Sequence, residues 1–75
     1  MDIRKLFGSN VRSIRESARL SQAEVAARMG VDRAYISLIE RGGQNATLLS
    51  IWEVAQALHV RPADLLAEPR ASSGN

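Results

Sequence analysis

Between Ser21 and Gly42 the chain reads SQAEVAARMGVDRAYISLIERG. Two helix-sized segments stand there, separated by a short connection from Met29 to Asp32 centred on Gly30. Ser21 and Glu24 form a capping box: the serine oxygen accepts from the Glu24 backbone N–H, and the glutamate reaches back to the Ser21 N–H. A helix therefore starts at Gln22, turns Val25, Ala26 and Met29 inward, and stops at Gly30. Asp32 suits the N-cap of the next helix, whose inward residues are Ile36 and Ile39 and whose end is Gly42-Gly43. So short a connection makes the two helices meet at a large angle, the helix-turn-helix geometry.

The other elements are also helical. From Asp2 to Ala18, apolar residues at Ile3, Leu6, Phe7, Val11, Ile14 and Ala18 fall on one helical face. Gly8 interrupts that helix at a cost of about 1 kcal/mol relative to Ala, so either backbones approach closely there or the first turns fray. After the polar loop Gln44 to Ala46, Thr47 caps a fourth helix that runs to about His59. Pro62 opens a short fifth helix, Pro62 to Ala67. The reading is an all-α, compact five-helix domain over residues 1–68, followed by a disordered tail, 69–75, with nothing to bury.

Composition excludes several functions. The chain has no cysteine and a single histidine, His59, and its carboxylates are not paired in an apolar cleft, so no nucleophile, base or metal constellation can be assembled. The expectation is no enzyme, no metal and no cofactor. No apolar run approaches the roughly 20 residues of a membrane span, and no signal-peptide pattern opens the chain, which with the absence of cysteine suits the cytoplasm. The net charge of +2 is uneven: residues 1–45 hold eight Lys/Arg and five Asp/Glu, whereas residues 46–75 hold two Arg and three acids. A basic half that contains the two hinged helices is a pointer to nucleic acid.

Helix 3 carries the sharper signal. With Ile36 and Ile39 inward, Arg33, Ala34, Ser37, Leu38 and Arg41 are left outside, a mixture that suits the major groove of duplex DNA. Arg33 can offer two parallel donors to guanine O6 and N7, and Ala34 or Leu38 can touch a thymine methyl. Ser37 joins them as a candidate for base edges. Tyr35 either contacts phosphate or lies flat over the seam between helices 2 and 3. Arg41 and Asn45, at the exit of helix 3, are candidate phosphate clamps, which set register without reading sequence. Arg12 and Lys5 are either long-range phosphate attractors or solvated charges.

Helix 4 is too apolar for one buried stripe: eight of its first eleven positions, Leu48 to Leu58, are apolar. Ile51, Val54, Ala55 and Leu58 suffice for the monomer core. Leu49 and Trp52 are left over and mark an interface, with Leu65 and Leu66 extending it. A two-fold homodimer would present two recognition helices about 34 Å apart, one turn of duplex.

Ser21-Gln22, Ala26, Gly30 and Ile39-Glu40-Arg41-Gly42 together resemble the helix-turn-helix of the lambda-repressor and Cro superfamily, the Xre family, over about residues 5 to 67. The further pattern Asp32-Arg33-x-Tyr35-Ile36-Ser37-x-Ile39-Glu40-Arg41, then Asn45-x-Thr47 and Ser50, resembles the controller proteins of restriction-modification systems. Two positions depart from those proteins, which often have Thr at position 34 and a basic residue at position 44, where this chain has Ala34 and Gln44. The resemblance implies a dimeric transcription regulator on a palindromic operator, with RNA polymerase a further partner if it activates. It also implies that Gln22 touches a backbone phosphate and steadies the first residue of the recognition helix, and that Arg15 and Glu40 form a partly buried ion pair. An antitoxin whose main partner is a protein toxin is the alternative within the same family.

Overall fold

A computed structural model describes residues 1–69. Five helices make up its regular structure: α1 (Ile3–Ser17), α2 (Gln22–Met29), α3 (Arg33–Glu40), α4 (Leu48–Leu58) and α5 (Pro62–Leu65). The expected tail, apart from Pro69, lies outside the described residues.

Caps set the helix starts. Asp2 accepts from the Arg4 backbone N–H at 3.0 Å, and Thr47 accepts from that of Ser50 at 3.0 Å. The capping box of α2 is complete, with Ser21 N–H donating to Glu24 at 2.7 Å and Glu24 N–H to Ser21 Oγ at 3.0 Å. Asp32 occupies the N-cap of α3 but makes no side-chain cap hydrogen bond. There the first turn closes on the main chain, Tyr35 N–H donating to the Asp32 carbonyl at 3.0 Å, and burial of Ile36 and Ile39 holds the helix down. The fifth helix ends at Leu65, two residues before the expected Ala67. Beyond it Asn10 of α1 takes over: its Nδ2 donates to the carbonyls of Leu65 and Ala67 at 2.9 and 2.8 Å, partnering groups that a helix end leaves without intrahelical donors.

All five helices contribute to one core: Phe7 and Val11 from α1, Val25 and Ala26 from α2, Ile36 and Ile39 from α3, Val54, Ala55, Ala57 and Leu58 from α4, and Leu65 from α5. Leu65 corrects an expectation. It is fully buried, because the turn that opens at Pro62 rotates it under the bundle, so it belongs to the monomer core and not to an exposed interface. Ile51 and Met29 are half-buried and pack against the core from outside.

Gly8 resolves as a close approach. The α1 helix is continuous through it, and a Cβ there would collide with the Ile39 carbonyl oxygen of α3. In an ordinary helix, replacing Gly by Ala gains about 1 kcal/mol. Here Gly8→Ala forces two backbones apart, and overpacking of this kind costs about 1 to 3 kcal/mol. The variant should melt below the parent in a thermal unfolding experiment; a higher melting temperature would contradict the close approach.

Candidate nucleic-acid interface

The turn between α2 and α3 is built from the main chain outward. Gly30 adopts φ +70°, the left-handed conformation that glycine takes without strain. Its N–H and that of Val31 donate to the Ala27 and Ala26 carbonyls at 3.3 and 3.0 Å. Val31 then packs against the core, and α3 sets Ile36 and Ile39 into the core while Arg33 and Ala34 stay exposed.

A line of polar side chains runs along the inner edge of this unit. Arg15 of α1 grips Glu40 at the end of α3, Nε to Oε2 at 2.6 Å and Nη2 to Oε1 at 3.0 Å, and its Nη1 donates to the Leu20 carbonyl at 2.9 Å. The two side chains are only 12% and 4% exposed, so the ion pair lies largely out of water. Burial pushes the Glu40 carboxyl up, and hydrogen bonds from Arg15 and Gln22 outweigh it, so the group lies below the usual glutamate range. Gln22 Nε2 donates to Glu40 Oε1 at 3.0 Å. Arg33 Nη1 in turn donates to Gln22 Oε1 at 2.9 Å, so Gln22 does brace the first residue of α3.

The outward set divides. Arg33 and Ala34 are exposed, whereas Ser37 and Leu38 are half-buried. Leu38 lies so close to Gly43 that a Cβ there would meet its Cδ1 at 2.7 Å. Tyr35 packs against the core, and its hydroxyl donates to Ser50 Oγ on α4 at 3.3 Å. Both hydroxyls can donate or accept, so Ser50 can instead donate to Tyr35 and leave the phenolic proton for a phosphate. Arg41 is exposed and folds back, Nε donating to the Ser37 carbonyl at 3.3 Å; Asn45 is exposed beyond it.

The profile of the helix-turn-helix family matches residues 11–65, which is most of the chain. The chain belongs to the helix-turn-helix family. It is 46% identical over 66 residues to the HTH-type transcriptional regulator y4dJ of Sinorhizobium fredii, covering 88% of this chain and 86% of that one. It is 47% identical over 66 residues to the control protein C.BamHI of Bacillus amyloliquefaciens, with 87% and 82% covered. Among solved structures, the restriction-modification controller protein C.AhdI of Aeromonas hydrophila superposes with a TM-score of 0.79 at 37% identity, over 83% of this chain and 94% of that one. Family membership makes this helix-turn-helix protein a DNA-binding regulator and not an enzyme.

Away from the helix-turn-helix, α4 of this family member presents an apolar face. Leu49 and Trp52 are 63% and 52% exposed, and Leu48, which the sequence reading left out of the interface, is 87% exposed beside them. Stepping about 100° per residue puts all three on one side. Leu66 is exposed too and lines a cleft of about 150 Å³ with Ile3, Phe7 and Ile51, while Trp52 lines a groove with Arg28, Met29 and Gln56. One tie went unread in the sequence, from Arg28 Nη1 to the Ala57 carbonyl at 2.7 Å, which fastens α2 to the end of α4. No helix among the described residues is long and apolar enough to cross a membrane.

Removing one partner of a buried ion pair costs about 3 to 5 kcal/mol, whereas replacing both with apolar side chains is close to neutral. Arg15→Ala should therefore lower the urea midpoint far more than the double variant R15M/E40M. Because the folded Glu40 holds its proton more weakly than an unfolded glutamate, its contribution is complete above about pH 4.3 and is lost as pH falls through the lower folded value. Asp2, Glu24 and Asp64 are lowered too, by hydrogen bonds from Arg4, Ser21 and Arg61, and remain in the double variant. Its stability should thus fall less steeply than the parent's below about pH 4.3; parallel acid limbs would contradict the assignment.

Proposed function

We propose that this chain is a homodimeric, sequence-specific transcription regulator of the restriction-modification controller kind, acting on a two-fold symmetric operator in cytoplasmic, nucleoid-bound DNA. The observation that carries the reading is Arg33: an exposed guanidinium at the start of α3, braced by Gln22 and ultimately by the α1–α3 ion pair. A recognition helix in the major groove reads base edges with its N-terminal residues, and Arg33 is the residue there able to fork onto a guanine. Ala34, with Ser37 and Leu38 behind it, lines the same groove.

Gln22, Arg41 and Asn45 take phosphates on either side, fixing register. Gln22 has a second Nε2 hydrogen for this while the first stays on Glu40. Tyr35 steadies α3 against α4 through Ser50 and keeps a phenolic proton to offer a phosphate when Ser50 donates to it. The apolar face of Leu48, Leu49 and Trp52 pairs with its symmetry copy, which supports a two-fold dimer. The relatives C.BamHI, C.SmaI and C.MunI are named as control proteins, and RNA polymerase is a partner where the bound dimer activates.

Gel-shift titration against a palindromic duplex tests this. Affinity should fall linearly with salt on a log–log scale, through counterion release. Arg33→Ala should lose about 1 to 3 kcal/mol and discrimination at one base-pair position, and Arg41→Ala should weaken all sequences alike while reducing the salt slope by about 1. The opposite assignment of these two effects would refute the roles given to α3.

A further inference from the structure

A continuous line of hydrogen bonds joins α1 to the arginine that reads the base. Arg15 donates to Glu40, Gln22 donates to the same carboxylate, and Arg33 donates to the other end of the Gln22 amide. We propose that Glu40, acting through Gln22, is a positioning residue for sequence readout: it fixes the orientation of the Gln22 amide and thereby the aim of the Arg33 guanidinium. The inference rests on Arg33 as the base reader.

Polarity admits only one arrangement of this line. A carboxylate only accepts and a guanidinium only donates, so the amide between them must turn Nε2 to Glu40 and Oε1 to Arg33, as it does at 3.0 and 2.9 Å. A reversed amide would set acceptor against acceptor and donor against donor. Glu40 is the fixed end, held twice by Arg15 and only 4% exposed. The neutral amide also keeps the two charges apart. Were Glu40 to touch Arg33 directly, it would compete with DNA for the guanidinium; through Gln22 it orients the cation without neutralising it. Of the five N–H donors on Arg33 one is occupied by Gln22, and Nη2 with Nε remains as a fork for guanine O6 and N7.

Ordering Arg33 in advance spares the entropy of immobilising one long side chain, worth roughly 2- to 12-fold in affinity. Only a site that uses the guanidinium gains it, so the advantage shows as discrimination between bases.

The test uses the full chain, a duplex selected by it from a random-sequence pool, and single base-pair variants of that duplex, with binding followed by fluorescence anisotropy. Arg33→Ala first identifies the base pair whose identity ceases to matter. R15M/E40M then removes the anchor of the Gln22 amide, with thermal unfolding confirming a folded domain, and Gln22→Leu cuts the line at its middle without touching the buried pair. In both variants the preference at that base pair should fall by roughly 2- to 12-fold, while preferences at other positions hold; a purely structural role would leave every ratio unchanged. If the double variant does not fold, Gln22→Leu decides. Full preference retained in the folded variants, with R33A abolishing it, overturns the inference alone. R33A without effect on any base pair overturns the reading of Arg33 itself.

Discussion

The position of α3 depends on its junction with α1. Beside the shared core of Phe7, Val11, Ile36 and Ile39, that junction holds two special contacts: the Arg15–Glu40 ion pair and the approach of Gly8 to the Ile39 carbonyl, which leaves no room for a side chain. The second brings the helices close enough for the first to be short and dry. A buried ion pair adds little net stability, because desolvation offsets most of the attraction. Its value here is geometric: any other placement of α3 strands a charge, so misaligned packings are costly. A groove-reading helix needs that restriction more than it needs extra stability.

From that fixed end the interface divides its work. The inner edge of α3 is locked through Glu40, Gln22 and Arg33, while Arg41 rests on its own helix and Asn45 stands exposed beyond it. On the proposed roles, nonspecific DNA engages the phosphate contacts alone, and a matching sequence adds the base contact of Arg33. Along α4, Leu48, Leu49 and Trp52 stand exposed. A domain of this size buries a modest fraction of its surface, and joining two copies through the α4 face would couple folding, symmetry and DNA affinity to protein concentration.

Much of this was legible in the chain because its cues are local. The Ser21–Glu24 box, the Gly30 stop and the Thr47 cap act within four residues, and each appears where the spacing puts it. The ion pair and the Gln22 brace join residues far apart, and resemblance to a family supplied them. What escaped was tertiary and without periodic signal: Asn10 bonding carbonyls more than fifty residues away, Arg28 reaching Ala57, and Tyr35 reaching Ser50. Leu65 and Leu48 were misplaced for one reason. Hydrophobicity says that a residue wants cover, and only the rotation of its helix in the bundle says whether the monomer supplies it.

If two copies of α3, held at a fixed separation, read one duplex together, affinity depends on the spacing of half-sites. Affinity should be measured for a selected palindrome and for the same palindrome with about 5 bp inserted at its centre, half a helical turn. The insertion places the second half-site on the far face of the duplex, so binding of the dimer should collapse to the nonspecific level. Equal affinity for the two duplexes would mean that each copy reads alone, and would contradict the account.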